Sequence, residues 1–158
     1  MVQLVFVSNK TYSEKVKRRE NMITYNQNKT VSEEKLRELY QSVGWVAYLD
    51  KVDSLHRMIE NSQEVVTAWE GEELIGLARI VGDGYYVGLI QDLLVKPAYQ
   101  QKGVGKQLFQ QIRELGARYH QLFLITDGSV ENQYVVDWYQ QQGMVPFEKV
   151  QTVGYYRV

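Results

Sequence analysis

The chain has 158 residues, a formal net charge of −1, 44% hydrophobic and 23% charged residues, and no cysteine. That length suits one domain with a sizeable core. The near-neutral charge offers no basic field for nucleic acid, and the missing cysteines exclude disulfides and thiolate-ligated zinc. No apolar run reaches the ~20 residues that span a bilayer, and the only histidines, His56 and His120, are too far apart for a His-rich metal site; the expectation is a cytoplasmic protein without metal, membrane or nucleic-acid partner.

Residues 1–21 read as a disordered or non-native extension. Their apolar run, Val2 to Val7, precedes the basic residues Lys10, Lys15, Lys17, Arg18 and Arg19, the reverse of a secretory signal. The domain is expected over 22–158. Met22 to Asn26 alternates as a first strand. Thr30 and Glu33 form a capping box, with Ser32 the alternative cap. Leu36, Leu39, Tyr40 and Val43 share a helical face that Gly44 ends. Trp45 to Asp50 reads as a short connection to a second helix through Leu55, Met58 and Ile59.

Val65 to Trp69, Leu74 to Val81 and Tyr85 to Val95 read as three antiparallel strands, the last two joined by the Gly82-Asp83-Gly84 turn. Gly103 to about Tyr119 is a helix with Val104, Leu108, Ile112 and Leu115 inward. Leu122 to Thr126 is a buried strand. Glu131 to Gln142 is a helix ending at Gly143, and Phe147 with Val150 to Val158 gives one or two closing strands. This order predicts an α/β (α+β) fold, a mixed sheet of six to seven strands flanked by about four helices.

The chemistry concentrates at Leu89 to Leu108. Pro97 stops the strand, Gly103 and Gly105 let a ligand approach the backbone, and a helix opens with free N–H groups suited to phosphate. A Walker loop fails, because Gln100 and Gln107 stand where a glycine and a hydroxyl are needed. A dinucleotide fingerprint fails at Leu108, where it needs a third glycine. What remains is Gln100-x-x-Gly103-x-Gly105, whose amides from Gln101 to Lys106 can donate to a diphosphate, with Lys102 and Lys106 adding charge.

That loop, preceded by Val95-x-Pro97-x-Tyr99, resembles the acetyl-CoA pyrophosphate loop of the GNAT N-acetyltransferases. The stretch Asn132-x-x-Val135-x-x-Trp138-Tyr139-x-x-x-Gly143-Met144 is similar to the family's late helix, and the likeness covers about Met22 to Val158. The resemblance implies an N-acetyltransferase, small and bacterial in type, that moves an acetyl group from acetyl-CoA to a primary amine by direct attack in a ternary complex.

In the family the strand carrying Leu93, Leu94 and Val95 is splayed from its parallel neighbour and receives the pantetheine arm, so those residues join Gln100, Gln101, Lys102, Gly103, Val104, Gly105, Lys106, Asn132 and Tyr139 as acetyl-CoA contacts. By the same resemblance the Leu94 N–H polarises the thioester carbonyl, and Tyr139 protonates the leaving thiolate. Asn132 either bonds the pantetheine or caps its helix. Asp92, a lone carboxylate in an apolar strand, is the candidate general base, directly or through water, or else a structural partner of Arg79 or nearby backbone. Gln91 stands where some polyamine acetyltransferases carry glutamate, which argues against polyamines.

Trp45, Tyr48 and Tyr86 are the acceptor-site candidates, pointing to a small amine, aromatic amines included. A protein lysine or N-terminus is the rival acceptor, and a non-catalytic acyl-CoA-binding module the rival class. The family's dimers imply a homodimer across the edge Val153 to Val158.

Overall fold

A computed structural model describes residues 22–51 and 53–155; the expectation for residues 1–21 lies outside them. The chain divides into two compact units at Leu124/Ile125. In the first unit, strands β1 (Ile23–Asn26), β2 (Glu64–Glu70), β3 (Glu73–Gly82), β4 (Val87–Val95) and β5 (Gln121–Leu124) form one sheet in sequential order. The first four pair antiparallel and β5 joins β4 in parallel, because the helix between β4 and β5 carries the chain back to the start of the sheet edge.

Helices α1 (Glu33–Ser42), α2 (Val46–Lys51) and α3 (Leu55–Glu60) precede β2, and α4 (Val104–Gly116) links β4 to β5. Ser32, not Thr30, caps α1, its side chain accepting from the Lys35 N–H. Glu33 reaches instead to α3 and accepts from the His56 N–H at 2.9 Å. A carboxylate there satisfies an orphan donor and complements the helix dipole of α3. Trp45–Asp50 is not a simple connection. Val46–Lys51 is helical, held to α1 by Arg37 Nη1 donating to the Leu49 carbonyl at 3.4 Å.

One core cluster joins Leu36, Leu39 and Tyr40 of α1 and Leu55 and Ile59 of α3 to Val65, Leu74, Leu77 and Leu94 of the sheet. On α4, Val104, Leu108 and Ile112 are buried as the periodicity predicted, Phe109 joins them, and Leu115 is half-buried. Gly76 is where α4 meets the sheet: a Cβ there would lie 2.8 Å from Leu108 Cδ1 and 2.9 Å from the Leu94 carbonyl oxygen. Leu108 can move aside but the strand carbonyl cannot. Gly76→Ala is therefore expected to cost about 1–3 kcal/mol, read as a lower urea midpoint at unchanged slope.

The second unit, described by itself, holds a 3-10 turn at Val130–Asn132, helix α5 (Gln133–Gln141) and a 3-10 turn at Phe147–Val150. Gly143, at φ 89°, ends the helix as expected, with the Met144 N–H returning to the Tyr139 carbonyl. The closing strands expected at Phe147 and 150–158 are absent among the described residues: Phe147–Val150 is a turn, and 151–155 carry no ladder. Five strands, not six or seven, make the described sheet. The dimer edge expected at Val153 to Val158 loses its strand accordingly over 153–155. Among the described residues no helix is long and apolar enough to cross a membrane.

Candidate active site

Strand β4 changes character at Asp92. Its register on β3 runs Arg79↔Gln91 and then Leu77↔Leu94, so Asp92 and Leu93 face one β3 residue. That is a β-bulge, and Asp92 adopts φ 57° to make it. Aspartate tolerates this left-handed geometry better than most side chains. The bulge switches the faces of the strand. Before it, a Cβ on Gly88 would meet Tyr119, just beyond α4; after it, Leu94 sits in the α1–α3 cluster. The parallel pairing with β5 also ends here, at Ile90↔Leu124. Beyond Ile90 no residue of β5 pairs with the β4 edge among the described residues.

The bulge also corrects the assignment of Leu94. The Lys96 N–H donates to the Ile75 carbonyl at 2.8 Å. Bonded and non-bonded pairs alternate along an antiparallel ladder. The Leu94–Leu77 pair, two residues earlier, is therefore bonded too, and the Leu94 N–H faces β3 rather than the free edge. Val95 faces outward, and its carbonyl accepts from Gln100 Nε2 at 3.0 Å. Leu93 has no ladder partner on β3.

After β4 comes a 3-10 turn, Pro97–Tyr99, and then the reversal into α4. Gln101 at φ 59° and Gly103 at φ 85° turn the chain. A Cβ on Gly103 would meet nothing within 4 Å, and one on Gly105 only Val95 Cγ2 at 3.6 Å, so a ligand can come close to both. The N–H groups of Val104, Gly105 and Lys106 open α4 and have no partner within the helix; the ladder begins with Gln107 donating to Gly103. The side chain of Gln100 ties the loop to β4. Lys102 places its ammonium 5.4 Å from the Tyr99 ring centre, and Lys106 is exposed.

Asp92 points to the α1–α2 side. It is 3% exposed, and its carboxylate is fully engaged. Oδ2 accepts from Tyr40 at 2.8 Å and from Arg79 Nε at 2.5 Å, and Oδ1 from Tyr48 at 2.7 Å. Arg79 also donates to Ser62 Oγ at 3.3 Å. Burial works against the Arg79 charge, but Asp92 outweighs it and holds the guanidinium above its ordinary range. Burial, and then the bond to Asp92, raise the Tyr48 phenol; burial and Asp92 do the same to Tyr40. Both tyrosines stay protonated and donate.

Trp45 stacks on Tyr48 at 5.7 Å between ring centres, and Tyr40 meets both rings. Gln91 Nε2 reaches the Tyr48 hydroxyl at 3.3 Å. Trp45, Tyr48, Gln91 and Asp92 are thus brought together. Tyr86 is not among them. It stacks on His120 and precedes Asp92 by six residues, about 20 Å of strand. In the second unit, Tyr139 is the buried residue of α5, and burial pushes its phenol up to about 12. Asn132 does not cap α5 with its side chain, which donates to the Asp127 carbonyl at 2.6 Å.

Residues 28–144 match the acetyltransferase (GNAT) family. The chain belongs to that family of acyltransferases. It is 30% identical over 125 residues to an uncharacterized N-acetyltransferase, ycf52-like, of Prochlorococcus marinus, covering 75% of this chain and 66% of that protein. A solved GNAT-family acetyltransferase from Streptococcus pneumoniae TIGR4 superposes with a TM-score of 0.73 at 29% identity, over 87% of this chain and 98% of the other. An aminoglycoside N-acetyltransferase in complex with CoA shares the fold, with a TM-score of 0.65 at 22% identity over 87% and 95% of the two chains.

The loop 100–103 follows β4 and the 3-10 turn directly and opens α4. Sequence reasoning missed one residue here. Tyr40 read as a core residue, yet its hydroxyl needed a buried acceptor, and that need was a signal for Asp92. Leu93 was expected only as an acetyl-CoA contact, because nothing in Gln91-Asp92-Leu93 announces the bulge. Among the described residues no group of three or more His, Asp or Glu could hold a metal ion.

Proposed function

We propose that this protein transfers the acetyl group of acetyl-CoA to the primary amine of a small molecule, by direct attack in a ternary complex. The observation that carries this reading is the β4 edge beyond Ile90, unpaired by β5, running into a loop of free amides. Gly103 and Gly105 leave room for a diphosphate, and the first turn of α4 offers it donors. Gln101–Lys106 would hold the diphosphate, and Leu93–Val95 with Asn132 the pantetheine arm. Bound acetyl-CoA supplies an acyl group already activated as a thioester.

The amine nitrogen forms a bond to the acyl carbon as the carbon–sulfur bond breaks. Leu93, next to the bulge and without a β3 partner, takes over the N–H role first assigned to Leu94 and stabilises charge on the carbonyl oxygen. Tyr139 gives its proton to the departing sulfur and regains one from water. The amine's own proton leaves through water. Asp92 acts behind Tyr48: it takes the Tyr48 hydroxyl proton in a hydrogen bond, which leaves the phenol oxygen to accept from the amine or from that water. The stacked Trp45 and Tyr48 rings would border the acceptor and favour a small amine with an apolar or aromatic body.

The test is release of free thiol from acetyl-CoA over a panel of aliphatic, aromatic and polycationic amines and lysine peptides. Turnover confined to small amines is the expected result; turnover confined to peptides, or CoA binding without any turnover, would overturn it. The pH profile is a second check. With its phenol near 12, Tyr139 remains a donor throughout the working range. The rate is expected to climb as the amine deprotonates, with no descending limb below about pH 11.

A further inference from the structure

We infer that Tyr99 is a positioning residue that anchors the pyrophosphate loop to the β2–β3 turn through Glu70 and Glu73. The inference rests on the reading of residues 100–106 as the diphosphate site. It starts from an oddity of the turn. Glu70 and Glu73 are register partners across β2 and β3, and two carboxylates directly opposite each other repel. Two groups from the far end of β4 relieve this. The Tyr99 hydroxyl donates to Glu70 Oε2 at 2.5 Å and lies 3.2 Å from Glu73 Oε2. Lys96 Nζ meets Glu73 Oε1 at 2.7 Å.

The consequence falls on the loop. Tyr99 closes the 3-10 turn, its N–H donating to the Lys96 carbonyl at 2.8 Å, and Gln100 follows at once. The next residues carry the positive φ values of Gln101 and Gly103, a reversal that needs holding from outside. Gln100 holds one side through the Val95 carbonyl, and Tyr99 holds the other through the turn. The same ring carries the Lys102 ammonium, so one side chain sets both the start of the amide cradle and the place of a cation beside it. The bonds from Glu70 and then Glu73 raise the Tyr99 phenol, which keeps it a donor. The bond from Lys96 holds Glu73 below the ordinary carboxylate range.

Tyr99→Phe keeps the ring under Lys102 and removes only the hydroxyl. The expected result is a rise of about tenfold in KM for acetyl-CoA, the scale of one charge-assisted hydrogen bond, with kcat and the acceptor KM within about twofold. Amide hydrogen exchange at 100–104 in the ligand-free protein is expected to quicken roughly tenfold while the amides of β3 and the middle of α4 keep their rates. Glu70→Gln retains an acceptor oxygen and should stay close to the unaltered protein, whereas Glu70→Ala should reproduce Tyr99→Phe and add nothing to it in the double variant. Unchanged exchange, or faster exchange with an unchanged KM, would overturn the anchor. Calorimetry of CoA on the unaltered protein separates the two layers: no binding there sinks the diphosphate reading, whereas binding there with a silent Tyr99→Phe sinks the anchor alone.

Discussion

Tyr139→Phe is expected to lower kcat by about 10²-fold or more at neutral pH while leaving KM for acetyl-CoA nearly unchanged. A thiolate leaving without a proton donor loses the contribution of general acid catalysis, which is typically about 10²- to 10⁴-fold. Phenylalanine keeps the ring that is buried in α5, so stability should barely move. The phenol is held protonated by burial, so the enzyme has the proton ready below about pH 11. Steady-state thiol release with saturating amine checks this. A rate within threefold of wild type would remove Tyr139 from the chemistry.

Arg79→Met is the second large expectation, and it concerns the acceptor side. Asp92 lies with its side chain wholly out of solvent and Arg79 with 8% exposed. Removing the cation leaves a buried carboxylate with only two phenols to support it, at a cost of about 3–5 kcal/mol. Asp92→Asn would strand the guanidinium instead and cost a similar amount. The double variant is expected to recover much of the loss, because neither charge is then unpaired. Urea unfolding of the four proteins gives the coupling directly. Additive losses would mean the two side chains do not act as one unit, and the account of Tyr48 held by an immobile Asp92 would fall with it.

What the sequence made legible was local. Pro97, Gln100, Gly103 and Gly105 lie within nine residues, and the proline that stops a strand and the glycines that free the backbone act locally, so the loop could be read without knowing its neighbours. The stripe on α4 was legible for the same reason. The acceptor side was not. Tyr40, Tyr48, Arg79 and Asp92 come from α1, α2, β3 and β4, and only folding brings their polar atoms within 3 Å. Arg79 was one of several partners open to Asp92; burial made the choice. Helix α2 is six residues long, too short for a helical period to stand out, so Trp45 before it and Tyr48 within it looked like loop residues. The C-terminal expectation failed for a different reason. Val150, Val153 and Tyr155 have strand propensity, but propensity needs a neighbouring strand to act on, and 151–155 have none among the described residues.

The bulge at Asp92 has a consequence for how the chain finds its fold. A hairpin of two apolar strands is free to zip up in several alignments, since one buried valine or leucine serves nearly as well as another. β3 and β4 lack that freedom. A slip by two carries Asp92 away from Arg79 and leaves its carboxylate without that partner, and a slip by one reverses the faces of Ile90, Asp92 and Leu94. Wrong alignments are thus penalised by a stranded charge before any substrate is present. Asp92, which ties Tyr40, Tyr48 and Arg79 together in the finished protein, would also act as the key that admits a single pairing of β3 and β4.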